Sequence, residues 1–176
     1  MISKERFKAI KLIITDIDGV LTDGKVAYGA SDFIKFFNYK DGHWIRMAMR
    51  SGLMIGFLSG RKSNANEQRA AELGVTFCKE DIINKGEEFK NILREYNVSP
   101  EECLYIGDDV VDAIPMSLAG IGVVVNDGED TLDAVADFRT QAKGGHGAVR
   151  EVINWLLKEQ GVFQEIVMEK YFPQNN

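Results

Sequence analysis

The sequence predicts an α/β fold: a single Rossmann-like parallel sheet with helices on both faces, plus a β-hairpin flap. Three observations carry this prediction. Short apolar runs alternate with amphipathic stretches along the whole chain, the pattern of strands joined by crossover helices. Two of these runs end in acidic clusters about ninety residues apart, Asp16-Ile17-Asp18-Gly19 and Gly107-Asp108-Asp109-Val110-Val111-Asp112. One interval, about 24–38, breaks the alternation with β-branched and aromatic residues around a Gly-Ala-Ser-Asp turn, which is a hairpin pattern.

Element by element, the first strand is expected over Ile10–Thr15, followed by the hairpin. A helix is expected over His43–Arg50, stopped by Ser51-Gly52. The second strand, Leu53–Leu58, delivers Ser59-Gly60-Arg61. A helix over Ser63–Leu73, a short strand Val75–Phe77 and an amphipathic helix Lys85–Tyr96 come next. The fourth strand is Cys103–Ile106 after a Ser-Pro-Glu-Glu turn. Asp109–Ala119 reads as helix, Ile121–Val125 as strand, Asp130–Val135 as a short helix and Ala148–Glu159 as the last helix. The organisation is one domain over 1–160 and a tail over 161–176. That tail carries Val162, Phe163, Ile166, Val167, Met168, Tyr171 and Phe172 and is too apolar to float free.

Composition narrows the function. At 176 residues and 45% hydrophobic content the chain can bury a sizeable core. A net charge of −6, with no basic stripe among aromatics, disfavours nucleic acid as a partner. The first apolar run is short, contains Lys11 and ends in Asp16, unlike a signal peptide or a membrane span, so a cytoplasmic protein is expected. Cys78 and Cys103 lack a C-x-x-C spacing and read as reduced core thiols.

Open α/β sheets bind ligands beyond the carboxyl ends of their strands. Asp16, Asp18, Asp108, Asp109 and Asp112 should therefore meet at one sheet edge. Two like charges about 4 Å apart repel by about 4 kcal/mol at an effective dielectric near 20. Such a cluster calls for protons or a hard oxygen-seeking cation such as Mg²⁺, which points to phosphate chemistry.

The ordered motifs D-I-D-G-V, L-S-G-R, N-K-G and G-D-D-V-V-D, each at a strand or helix end, resemble the haloacid dehalogenase superfamily of phosphohydrolases. The resemblance implies that Asp16 is the nucleophile and Asp18 the general acid and base. It implies that Ser59 and Gly60 bind the phosphoryl oxygens and that Lys85 neutralises their charge. Mg²⁺ would bind Asp16, the Asp18 carbonyl and Asp108, with Asp109 and Asp112 as further ligands or supports.

The intervals from Asp18 to Ser59 and from Ser59 to Lys85 are too short for a cap domain. Together with G-G-H-G-A-V-R-E at 144–151, this resembles a capless subgroup acting on sugar-acid phosphates. That subgroup implies a homotetramer joined through its hairpins, with the tail docking on a neighbouring subunit. The implied substrate is an eight-carbon keto sugar acid 8-phosphate, used in lipopolysaccharide synthesis. A nine-carbon sialic-type acid 9-phosphate, or a non-catalytic oligomerisation module, is the alternative. Arg61, Lys40, His146 and Arg150 are the candidates for the sugar-acid end. Arg61 stands first, because the nine-carbon relatives tend to carry an acidic residue there.

Overall fold

A computed structural model describes residues 2–28 and 33–172. Six parallel strands form one sheet in the order β5-β4-β1-β6-β7-β8. They are β1 (Leu12–Thr15), β4 (Met54–Leu58), β5 (Phe77–Lys79), β6 (Cys103–Gly107), β7 (Ile121–Val124) and β8 (Phe138–Arg139). Outside the sheet, β2 (Ala27–Tyr28) and β3 (Phe33–Ile34) pair antiparallel as the expected hairpin. The Gly-Ala-Ser-Asp turn itself lies outside the described residues.

Both faces of the sheet are covered, and β1 shows how. Ile13 belongs to the larger core with Ile45, Ala48, Leu73, Val152 and Leu156, whereas Leu12 and Ile14 pack with Phe89, Ile92 and Met116. The first set brings in α2 (Tyr39–Arg50), α3 (Asn64–Leu73) and α6 (Ala148–Gln160); the second brings in α4 (Lys85–Glu95) and α5 (Ala113–Leu118). Strand side chains alternate between faces, so a run of four buried residues fills two cores at once. No described helix is long and apolar enough to cross a membrane.

Several boundaries differ from the sequence expectation, each for a local reason. The first helix of the core begins at Tyr39 rather than His43, because Asn38 caps it and accepts the Lys40 amide at 2.8 Å. The third strand lies at Phe77–Lys79 rather than Val75–Phe77. Gly74, in the left-handed region at φ 72°, closes α3, and the Val75 amide still bonds back to Ala70. Asp109–Ala119 divides into a 3₁₀ turn, Val110–Asp112, and α5. Ahead of the tail, two elements have no counterpart in the expectation. They are α1 (Lys4–Ala9), whose Phe7 packs edge-on against Trp155 with centroids 4.5 Å apart, and the edge strand β8.

The start of the tail is seated on the body of its own chain. Val162 and Phe163 pack on the larger core, Phe163 stacks on Trp44, and Val167 is buried within a π turn, Gln164–Met168. Beyond it, α7 (Glu169–Tyr171) carries Tyr171, whose hydroxyl accepts from Arg50 at 2.8 Å. Tyr171 and Phe172 remain about half exposed. Residues 173–176 lie outside the described residues.

Candidate active site

The three strands at the centre of the sheet deliver the chemistry. Asp16 follows β1, Ser59 follows β4 and Asp108 follows β6; β4 and β6 are the two neighbours of β1. Lys85 opens α4, whose cap Asn84 accepts the Glu87 amide at 3.1 Å. The result is a cavity of about 290 Å³ lined by Asp16, Asp18, Ser59, Arg61, Lys85 and Asp108, with Asp109 and Gly60 on its wall.

At its floor, buried Lys85 donates to Asp16 Oδ1 at 3.0 Å and to Asp112 Oδ1 at 2.7 Å. Burial works against the lysine charge, but the two carboxylates outweigh it and hold the ammonium above its ordinary range. Asp112 is not free to do more. Its Oδ1 also accepts the Tyr105 hydroxyl at 2.7 Å, and its Oδ2 accepts the Asp108 and Asp109 amides at 3.0 and 3.3 Å. It orients Lys85 and folds the acidic loop back on itself.

Asp16 and Asp108 carry the strain of crowding. Burial, then the Asp112 charge, pushes the Asp16 carboxyl up to about 6. Burial, then the charges of Asp16 and Asp112, pushes Asp108 up to about 8. One oxygen of each of Asp16, Asp108 and Asp112 falls within 4.8 Å of the others, and Asp108 Oδ1 is buried without a partner among the described residues. Fully ionised, three carboxylates against one ammonium leave two negative charges uncompensated. An all-oxygen donor set with an orphaned carboxylate oxygen and that charge fits a hard divalent cation. Gly19, at φ 95°, keeps the space open, since a Cβ there would stand 1.9 Å from Asp108 Oδ2.

Ser59 is buried, and its hydroxyl bridges the Arg61 carbonyl and amide at 3.0 and 3.1 Å, which shapes the loop at the cavity mouth. Arg61 is exposed at that mouth. Asp109 is exposed and caps the 3₁₀ turn through the Val110 amide at 2.7 Å.

The remaining basic candidates are elsewhere. Lys40 is exposed in the first turn of α2, and His146 is exposed in the glycine turn before α6. Arg150 lines a separate groove with Trp44, Trp155 and Lys158. None of the three lines the cavity.

The late glycine motif acts through its backbone instead. The Gly145 amide bonds the Val20 carbonyl at 2.9 Å, and a Cβ on Gly144 would meet the Gly19 carbonyl oxygen at 1.7 Å. Behind it, buried Asp41 accepts the Arg150 amide at 2.7 Å and caps α6. Burial pushes the Asp41 carboxyl above its ordinary range.

Sequence reasoning missed Lys35, which contacts Asp18 at 2.7 Å. The signal was present: period-two alternation puts Phe33, Lys35 and Phe37 on the covered side of the hairpin and Ile34 and Phe36 outside.

Over 157 residues the chain is 40% identical to the 3-deoxy-D-manno-octulosonate 8-phosphate phosphatase KdsC of Escherichia coli, covering 89% of this chain and 84% of that one. It belongs to the haloacid dehalogenase-like hydrolases. The family model for haloacid dehalogenase-like hydrolases matches residues 78–153 of this hydrolase. Among solved structures, the Moraxella catarrhalis 3-deoxy-D-manno-octulosonate 8-phosphate phosphatase superposes with a TM-score of 0.91 at 32% identity, covering 94% of this chain and 96% of that one. It was determined with magnesium, phosphate and KDO. The cobalt-bound deoxy-D-mannose-octulosonate 8-phosphate phosphatase of Haemophilus influenzae gives 0.86 at 34% identity, covering 89% and 92%. This hydrolase shares their capless α/β fold.

Proposed function

We propose that this hydrolase is an Mg²⁺-dependent phosphomonoesterase that splits 3-deoxy-D-manno-octulosonate 8-phosphate into the free sugar acid and phosphate. Its place would be in the cytoplasm, in lipopolysaccharide synthesis. The observation that carries the reading is the floor of the cavity. There Asp16 lies 3.0 Å from a buried lysine and beside an orphaned carboxylate oxygen of Asp108.

Asp16, Asp108 and the Asp18 carbonyl would hold Mg²⁺, with Asp109 at the rim and Asp112 as support. The bound ion supplies positive charge to the phosphoryl oxygens. An Asp16 oxygen attacks phosphorus, and the bond from phosphorus to the ester oxygen breaks. The departing oxygen takes a proton from the Asp18 carboxyl, leaving an aspartyl phosphate. Water then attacks the same phosphorus and gives a proton back to Asp18; phosphate leaves and the Asp16 carboxylate is restored. Lys85 counters charge on the phosphoryl oxygens, and Ser59 with the Gly60 backbone offers hydrogen-bond donors.

Arg61 at the mouth is the group for the distal carboxylate, and a planar fork of donors suits it. Lys40, His146 and Arg150 are assigned to the sugar-acid end only as contributions across subunits. A homotetramer is proposed on the outward hairpin side chains Tyr28, Ile34 and Phe36, all at least half exposed, and the exposed end of the tail would meet a neighbour there. The test is a panel of sugar-acid and simple phosphate esters with Mg²⁺ and with a chelator. Preferential, Mg²⁺-dependent release of phosphate from the eight-carbon ester is expected. Hydrolysis unaffected by chelation, or a preference for the nine-carbon ester, overturns the assignment.

A further inference from the structure

We propose that Lys35 is a positioning residue for Asp18, fixing its carboxyl in one direction and tying it through Asn66 to the loop that carries Ser59. The inference rests on the phosphatase reading above. The two acidic side chains of the D-I-D motif each meet a different lysine. Lys85 serves Asp16, while Lys35, from the flap, serves Asp18.

The Lys35 side chain is 1% exposed, although Ile34 and Phe36 on either side point outward. Its ammonium meets Asp18 Oδ1 at 2.7 Å and Oδ2 at 2.9 Å, and donates to Asn66 Oδ1 at 3.0 Å. Three donors thus face three acceptors while Asp18 is ionised, the form it takes once its proton is given up; the protonated acid keeps the contact through its carbonyl oxygen. A buried ammonium without such partners would cost several kcal/mol, so the packing around it is tolerable only with the contact made.

Asn66 is no passive acceptor. It is fully buried, and its amide donates to the Arg61 carbonyl at 3.2 Å and to Glu80 at 2.8 Å; Glu80 also accepts the Ser63 amide at 3.1 Å. Asp18, the flap and the Ser59–Ser63 loop are therefore joined by one chain of charge-assisted hydrogen bonds. A carboxyl that must meet the departing ester oxygen gains from a fixed direction, because misplacement by about 1 Å can cost about a hundredfold.

The experiment compares two phosphomonoesters under Mg²⁺. One is the sugar-acid 8-phosphate, whose alkoxide needs a proton to leave; the other is p-nitrophenyl phosphate, whose phenolate leaves unaided. Lys35→Met should lower kcat for the alkyl ester at least about tenfold more than for the aryl ester, within the range a positioned acid supplies. KM should change far less than kcat. Asn66→Ala should shift the same ratio in the same direction by a smaller factor, and it decides the matter should Lys35→Met fail to fold. Equal losses on the two esters from an active parent overturn the assignment of Lys35 alone. A parent inert on both esters overturns the phosphatase reading, and this inference with it.

Discussion

Asp16 and Asp112 share one lysine, yet their surroundings give them different work. Asp16 lines the cavity and meets Lys85 through Oδ1 alone, which suits the nucleophilic role proposed for it. Asp112 spends both oxygens on four donors: Lys85, Tyr105 and the amides of Asp108 and Asp109. Asp16→Asn should therefore abolish turnover, by about four orders of magnitude or more, while circular dichroism stays that of the parent. Appreciable residual activity would remove Asp16 as nucleophile. At the mouth, Arg61→Glu should raise KM for the eight-carbon ester more than for the nine-carbon ester. Equal losses with both would show that Arg61 does not select between them.

Among the elements, the glycine turn before α6 buttresses the loop that carries Asp18. Gly144→Ala would drive a Cβ into the Gly19 carbonyl. Overpacking of this kind costs about 1–3 kcal/mol, and here it displaces the loop that carries Asp18. A lower denaturation midpoint together with reduced kcat is expected; parent-like values of both would refute the buttress. Asp41→Ala should cost about 1–2 kcal/mol in urea unfolding through the lost cap of α6.

The alternation of strands and helices, and with it the convergence of Asp16, Ser59, Lys85 and Asp108, was legible in the sequence because apolar runs ending in polar motifs mark strand ends. What was not legible depended on tertiary partners. α1 is a single short helix with one buried side chain, Phe7, and β8 pairs over two residues. Asn66 sits at a spacing that looks like any polar helix position. His146 and Arg150 stand off the cavity lining, in a motif whose backbone amides bond Val20 and Asp41.

For the molecule as a whole, the raised carboxyls of Asp16 and Asp108 link stability to pH. Each binds a proton more tightly folded than unfolded, so the native state holds more protons between about pH 4 and about pH 8. Stability of the metal-free chain should fall as pH rises through that window. Saturating Mg²⁺ should flatten the slope, because a bound cation rewards the ionised form. Thermal melts at several pH values, with and without Mg²⁺, check this, and a metal-free chain that gains stability toward pH 8 would contradict it.

Both thiols lie away from the cavity wall. Burial lifts Cys78 to about 12 and Cys103 higher still, so neither supplies appreciable thiolate near neutrality. A hydrolase that works through the proposed aspartyl phosphate, with its sulfur withdrawn in this way, should keep its rate in the presence of iodoacetamide or mild peroxide. Those reagents silence phosphatases that attack through cysteine, so they offer a simple way to tell this hydrolase from such activities in a crude extract.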